Sequence, residues 1–345
     1  MNVKKLLNTL YVTTPDSYLS LDGETVVVIN QDKQLGKIPL HNLEGIVTFG
    51  YSGASPALMG ECAKRQISLC FMTSYGRFLA RVVGKVYGNV TLRKEQYRIS
   101  DNPALCNRIA RNIVVGKIFN ARWVLERFIR DHPISIDKSK IKRISLKLQN
   151  FIELSRECNS NEQLRGFEGE AASLYFSVFD EMILQNKEYF YFDGRNRRPP
   201  LDRVNAMLSF VYALLTNYVA SALETVGLDP YVGFYHTDRP GRASLALDMI
   251  EELRPVMADR FVLTIINKRI VDPKGFTIME NGAVEMSDDN IKTILTHWQK
   301  RRQEIVKHPF LEEKVEWGLI PYIQALLLAR YIRGDLDAYP PFLWK

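Results

Sequence analysis

A single histidine, His236, stands in the Gly/Pro-punctuated stretch GFYHTDRPGRASLALDMIEELRP, 12 residues before Asp248 and 15 before Glu251. It is either one ligand of a metal site that does chemistry or an ordinary loop residue ahead of an amphipathic helix. On a wheel of about 100° per residue with Asp248 at zero, Glu251 falls near roughly 300° and Glu252 near roughly 40°. Leu247, Met249, Ile250 and Leu253 fill the opposite side. An acidic face against an apolar one is the pattern of any surface helix.

The segment RGFEGEAASLYF, residues 165 to 176, is more telling. Glu168 shares its helical face with Ala171, Ala172 and Tyr175, while Glu170 points away, so Glu168 is an acid on a small-residue packing face. Burying an unpaired carboxylate costs several kcal/mol, so such a residue needs a cation, a hydrogen-bond donor or a metal. A capped or salt-bridged glutamate and a metal ligand both satisfy that need. Carboxylates from two helices plus an imidazole form an O/N set suited to Mn2+ or Mg2+, and the absence of cysteine argues against structural zinc. Three protein ligands leave open positions, where a phosphoryl oxygen is polarised and a bound hydroxyl or water is acidified. A phosphodiester is the natural target.

Other chemistries find no support. The sequence has no G-x-x-x-x-G-K-[ST], no G-x-G-x-x-G after a strand, no G-x-S-x-G and no H-E-x-x-H. His41, His132, His297 and His308 lack comparable acidic company. Cys62, Cys70, Cys106 and Cys158 show neither CxxC spacing nor disulfide density and read as reduced thiols. With 46 Lys+Arg against 39 Asp+Glu the net charge is +7, a basic excess that permits a nucleic-acid partner. The N-terminal MNVKKLLNTLYV lacks the long apolar run and small-residue cleavage site of a secretory signal, and the chain reads as cytoplasmic. Residues 206–223, AMLSFVYALLTNYVASAL, are uncharged over 18 positions. Ser209, Thr216, Asn217 and Ser221 interrupt them and Arg203 and Glu224 flank them, which favours a buried central helix over a membrane span.

The elements that position these residues read as an α+β protein. Residues 1–88 alternate β-rich runs with turns (LYV, SYLSL, TVVVIN, GKIPL, EGIVTFG, QISLCFM, RFLARVVG) and predict a small, mostly antiparallel β domain. Its one short helix starts at Ser55-Pro56. Residues 89–100 read as a linker, and 101–345 as a mostly α-helical domain with a β-hairpin near 276–286 marked by Asn281-Gly282. In the long helix from Asn102 to Arg130, Arg108, Arg111, Arg122 and Arg130 fall within an arc of roughly 100°, either a solvated face or a DNA-binding one.

Three segments occur together in order: GFEGEAASLYF, GRNRRPPLDRVNAMLSFVYALL and DPYVGFYHTDRPGRASLALDMIEELRPVMADRFV. The combination resembles the CRISPR-associated adaptation integrases, the Cas one family, over essentially the whole chain. The tail YPPFLWK looks like the type I, subtype C branch. The resemblance implies that Glu168, His236 and Glu251 are metal ligands for Mn2+ or Mg2+, with Asp248 beside them orienting a ligand or a metal-bound water. Asn205 matches a position close to the active site and reads as a core amide that satisfies backbone groups. Arg239, Arg242 and Arg254 surround the acidic helix and could grip phosphates, although Arg254 is equally placed for a salt bridge to Glu251.

The resemblance further implies a homodimer that joins a small ferredoxin-like partner, Cas two, to hold protospacer duplex DNA. It allows an iron–sulfur nuclease that processes the ends as a further partner. The implied reaction is transesterification, in which a DNA 3′-hydroxyl attacks a phosphodiester at the border of a CRISPR repeat. A metal-dependent endonuclease acting by hydrolysis is the nearest rival reading, and a non-enzymatic DNA-binding scaffold is the rival from another class.

Overall fold

The structure is a computed structural model that describes residues 8–74, 78–84, 90–132, 137–196 and 198–345. The start of the stretch read as lacking a signal, the first residue of the expected linker and the break at 133–136 lie outside them. Two compact units divide the chain, one comprising Met1–Tyr87 and Met286–Glu304 and the other Gly88–Glu285 and Ile305–Lys345.

The first unit contains two four-stranded sheets. Its strands are β1 (Thr9–Val12), β2 (Ser17–Asp22), β3 (Thr25–Asn30), β4 (Lys33–Pro39), β5 (Gly45–Phe49), β6 (Gly53–Ala54), β7 (Ser68–Met72) and β8 (Phe78–Arg81). One sheet has the order β4-β3-β2-β6 and the other β1-β5-β7-β8. The β-branched run of β3 pairs antiparallel with β2 through a tight turn at Gly23, where φ is +58° and a side chain would be strained. The expected antiparallel character holds for that hairpin and for β3–β4 and β7–β8, but β1–β5, β5–β7 and β2–β6 are parallel. Parallel pairing needs a crossover. Helix α1 (Pro56–Arg65) supplies the one between β5 and β7, started by Ser55 Oγ accepting the Leu58 N–H at 3.2 Å. Leu19, Val26, Leu40, Ile46, Leu58 and Leu69 form the core.

Helix Asp288–Gln303 belongs to this unit, not to the C-terminal one as its position in the sequence suggested. Its Arg302 is 2% exposed and bonds Thr9 Oγ1 at 2.9 Å and Glu44 at 3.0 Å. A buried guanidinium needs such partners, and they lie at the far end of the sequence.

The second unit is mostly helical. Residues 90–100, expected as part of a linker, form α2 (Val90–Ser100), whose Leu92, Gln96 and Ile99 are buried at helical spacing. The fully buried Gln96 amide donates to the carbonyls of Asp229 at 2.8 Å and Val232 at 2.9 Å, fixing the chain just ahead of Gly233. Then follow α3 (Pro103–Asp131), α4 (Lys138–Glu157), α5 (Asn161–Phe176) and α6 (Arg203–Thr225), capped by Asn102, Asp137, Ser160 and Asp202. Helix α6 is long and apolar enough to cross a membrane, with a mean hydropathy of 1.5, but 61% of that window is buried inside the protein. It is a core helix.

Helix α7 (Ser244–Leu253) runs through a π turn, Arg254–Asp259, into α8 (Arg260–Asn267). A ribbon of β9 (Phe276–Ile278) and β10 (Val284–Met286) turns at Asn281-Gly282, with Gly282 at φ +79°. Helix α9 is the Asp288–Gln303 segment already described. A second ribbon, β11 (Ile305–Lys307) with β12 (Lys314–Glu316), precedes α10 (Ile320–Ile332), which ends before Gly334 at φ +81°. Ile305–Lys307, which follows closely on α9, is thus strand and not a continuation of that helix.

The C-terminal tail lies against α3 and α7, and Gly116 stands at that contact. A Cβ there would stand 3.0 Å from Glu252 Oε2 and 3.0 Å from Pro341 Cβ. Gly60 on α1 is exposed and would meet nothing within 4 Å. Gly116→Val is therefore expected to destabilise the protein by about 1–3 kcal/mol, whereas Gly60→Ala stabilises it by about 0.5–1 kcal/mol. Urea unfolding of the two variants checks the opposite signs.

Candidate active site

Asp248 organises the site from beneath. It is fully buried, and its carboxylate accepts the backbone N–H groups of Phe234 at 2.7 Å, Tyr235 at 3.0 Å and His236 at 2.8 Å. The His236 ring completes the set, with Nδ1 2.7 Å from Asp248 Oδ1. A carboxylate only accepts, so Nδ1 carries a proton and Nε2 is the ring nitrogen left to meet a ligand. Nε2 faces Glu251 Oε1 at 3.9 Å, with 20% of the histidine side chain exposed. Gly233 permits this fold of the loop: a Cβ there would stand 2.9 Å from Asp248 Oδ2 and 2.9 Å from Ser244 Cβ.

Glu251 projects from α7 towards α3 and α5. Lys117 of α3 stands between two carboxylates, with Nζ 2.6 Å from Glu251 Oε2 and in direct contact with Glu168 Oε1. Arg254 Nη1 lies 2.5 Å from Glu251 Oε1, so the salt-bridge reading of Arg254 describes its position. Burial alone would push the Glu251 carboxyl up, but Arg254, Lys117 and His236 together hold it well below the usual carboxylate range. Lys117, although buried, is held above the usual ammonium value by Glu251 and Glu168.

The third acid of α7 points elsewhere. Glu252 is fully buried and accepts from Tyr339 Oη, from Gln324 Nε2 at 3.0 Å and from the Phe342 N–H at 2.9 Å. Asn120 Nδ2 donates to the carbonyls of Glu252 at 2.6 Å and Phe342 at 2.7 Å. Thus the acidic face expected to be solvated is buried along its whole length, because each acid finds its own partners.

The arginines divide. Arg108 and Arg239 are exposed, Arg111 and Arg242 are partly buried, and Arg122 lies 3.8 Å from Glu126. Arg130 pairs with Asp131 at 2.9 Å. Asn205 is a satisfied core amide: it accepts from Arg195 Nη1 at 2.6 Å and donates to the Gly194 carbonyl at 2.9 Å and to Asp202 at 2.6 Å.

The structure thus brings Glu168, His236, Asp248 and Glu251 together, but with Lys117 between the two glutamates. Among the described residues no three His, Cys, Asp or Glu side chains are grouped closely enough to hold a metal in this arrangement. The donor set still fits one. Both glutamates converge on the Lys117 ammonium, Glu251 Oε2 is buried without a well-directed hydrogen bond, and His236 Nε2 faces the same space. Glu168, His236 and Glu251 suit a hard divalent cation, with the Lys117 ammonium marking where positive charge is accommodated. Lys117 was missed from sequence. Its signal is a lone lysine inside the otherwise buried run Ile113 to Ile118.

A family model for "CRISPR associated protein Cas1" matches residues 10–300. The chain belongs to the Cas1 family. Its curated relatives are endonucleases, so the chain is an enzyme of that class and the scaffold reading is set aside. It is 52% identical to the CRISPR-associated endonuclease Cas1 1 of Chlorobaculum tepidum, covering 99% of this chain and 100% of that one. Among solved structures, a casposase bound to its integration product shares the fold with a TM-score of 0.83 at 20% identity, over 97% of this chain and 93% of that one. A Cas6-RT-Cas1–Cas2 complex aligns with a TM-score of 0.82 at 22% identity, covering 98% of this chain and 36% of that one.

Two outcomes follow from the buried acids of this Cas1. Asp248→Asn leaves one acceptor oxygen among four donors and is expected to cost at least about 2 kcal/mol in urea unfolding of metal-free protein. Glu252 gives a pH dependence. Burial raises its carboxyl from 4.5 to about 7 against the opposing hydrogen bonds of Tyr339, Gln324 and Phe342. The native state therefore keeps a proton that the unfolded chain releases, and stability present below about pH 4.5 is lost as pH rises through about 7. Asp259, raised by burial to about 6, acts in the same direction. Glu252→Gln is expected to flatten the decline in stability between about pH 5 and about pH 7, leaving the smaller slope of Asp259, as read by denaturation midpoints across that range.

Proposed function

We propose that this Cas1 inserts short DNA fragments into a CRISPR array, with Glu168, His236 and Glu251 at its reactive centre. A 3′-hydroxyl of the incoming duplex attacks a phosphodiester at a repeat border. One P–O bond forms as the bond to the repeat strand's 3′-oxygen breaks, so no nucleotide triphosphate is needed, in keeping with the missing P-loop motif. The observation that carries the reading is the convergence of α5 and α7 on one cation, with a histidine held behind it by Asp248.

Glu168, Glu251 and His236 Nε2 would hold Mn2+ or Mg2+, which when bound acidifies the attacking hydroxyl and steadies the leaving oxygen. Asp248 engages Nδ1 of the histidine, so Nε2 is the nitrogen left to the ion. Lys117 and Arg254 keep the two glutamates from facing each other uncompensated before DNA arrives. A homodimer joined to the small ferredoxin-like partner, Cas2, would supply two such centres in the cytoplasm. An end-processing iron–sulfur nuclease agrees with the same reading, and the YPPFLWK tail supports the subtype C branch.

A half-site integration assay with the purified protein, Cas2, a native repeat and Mn2+ tests the proposal. His236→Ala is expected to abolish joined product while the circular-dichroism spectrum stays as in the wild type and the melting temperature falls only by the loss of one hydrogen bond to Asp248. Full strand transfer by that variant overturns the assignment. Wild-type protein that yields only shortened DNA supports hydrolysis in place of integration.

A further inference from the structure

Tyr235 lies between the two acid-bearing helices and touches both. Its N–H donates to Asp248 of α7 at 3.0 Å, and its carbonyl accepts from Arg165 Nη2 of α5 at 2.8 Å. The Arg165 guanidinium carbon also stands 5.5 Å from the centre of the Tyr235 ring. Tyr235 is 5% exposed, so its ring is held in place beneath the guanidinium.

Arg165 itself is exposed and sits one helical turn ahead of Glu168. The site's other two cations are engaged, Arg254 by Glu251 and Lys117 by both glutamates. Arg165, in contrast, forms no ion pair with a carboxylate among the described residues. One of its N–H donors is spent on the Tyr235 carbonyl, and the rest of the planar fork remains for a ligand. A solvated surface arginine gains little from being held at one place by a carbonyl and a ring face. An arginine held that way beside a phosphodiester-cleaving centre has its rotamer entropy already lost before an anion arrives.

We propose that Arg165, seated on Tyr235, is a phosphate anchor that sets the DNA strand across the Glu168–His236–Glu251 centre. The inference rests on the reading of that centre as the active site. Arg165 contacts the DNA backbone, and Tyr235 is the positioning residue that orients it. Neither was among the arginines and site residues that the sequence singled out.

The test measures binding of a short fluorescein-labelled DNA duplex by anisotropy over a series of salt concentrations, using the full-length protein. Arg165→Gln is expected to weaken binding roughly tenfold, the loss of a charge-assisted hydrogen bond. The slope of log affinity against log salt should fall by roughly 0.9, the loss of one phosphate contact. Arg165→Lys retains the slope but not the full affinity, since an ammonium neither forks nor stacks. Tyr235→Leu, which removes the ring but keeps the carbonyl, loses part of that affinity and keeps the salt slope, and the double variant binds no worse than Arg165→Gln alone. In strand-transfer assays the loss falls on the DNA concentration for half-maximal rate more than on the maximal rate. Arg165→Gln protein with wild-type affinity and slope overturns the proposal, as does a double variant whose losses add. Glu168→Gln, assayed alongside, separates the two readings: strand transfer surviving in it removes the active-site assignment and leaves the anchor standing.

Discussion

The buried carboxylate of Asp248 is the constraint on which the site depends. A fully buried carboxylate persists only when donors surround it, and here three consecutive backbone N–H groups and one imidazole do so. The donors in turn have no freedom. Phe234, Tyr235 and His236 must wrap one side of α7, which is possible only because Gly233 brings its backbone within van der Waals limits of Ser244 and Asp248. The orientation of His236, the direction of its free nitrogen and the location of the Tyr235 carbonyl all follow from this single charge.

Helix α7 extends the same logic in three directions. Asp248 answers the loop, Glu251 answers Lys117 and Arg254, and Glu252 answers the tail through Tyr339 and Phe342 and α10 through Gln324. Because adjacent residues on a helix diverge by about 100°, one short segment can serve three separate partners. The consequence is mechanical. Glu251 cannot drift toward solvent while Glu252, the next residue, is locked to the tail and Gly116 keeps α3 against both. The tail therefore acts on the Glu251 carboxylate through one peptide bond.

Much of this was legible from residue types. The β-branched runs of the first unit, the Ser55-Pro56 helix start and the Asn281-Gly282 turn each carry a local physical cause, and the structure has the corresponding elements. Glu168 stood out as an acid on a packing face, and its need for a cation was apparent before the cation was known. What was not legible is long-range pairing. A helical wheel sorts polar from apolar, so it left Asp248, Glu251 and Glu252 on a face expected to be wet, although all three are buried by partners from elsewhere in the chain. The α2 segment failed for the opposite reason. Its seam includes Gln96, whose burial is satisfied by carbonyls of the 229–232 loop, and a polar residue in the seam hides helical periodicity. Parallel strand pairing and the transfer of α9 to the first unit share that cause, since Arg302 finds its partners, Thr9 and Glu44, at the other end of the chain.

Lys117 gives the site its sharpest chemical character. Two glutamates brought to one point repel, so burying such a pair requires positive charge between them. An ammonium on a flexible stem is suited to that role because, unlike an arginine fork, it offers a compact point charge that makes no fixed planar bond. The same reasoning explains why Arg254, the fork, is placed on the Glu251 oxygen away from Glu168, where it has only to fix one carboxylate. Positive charge at this centre is thus divided between a cation that fixes Glu251 and one that spans both acids.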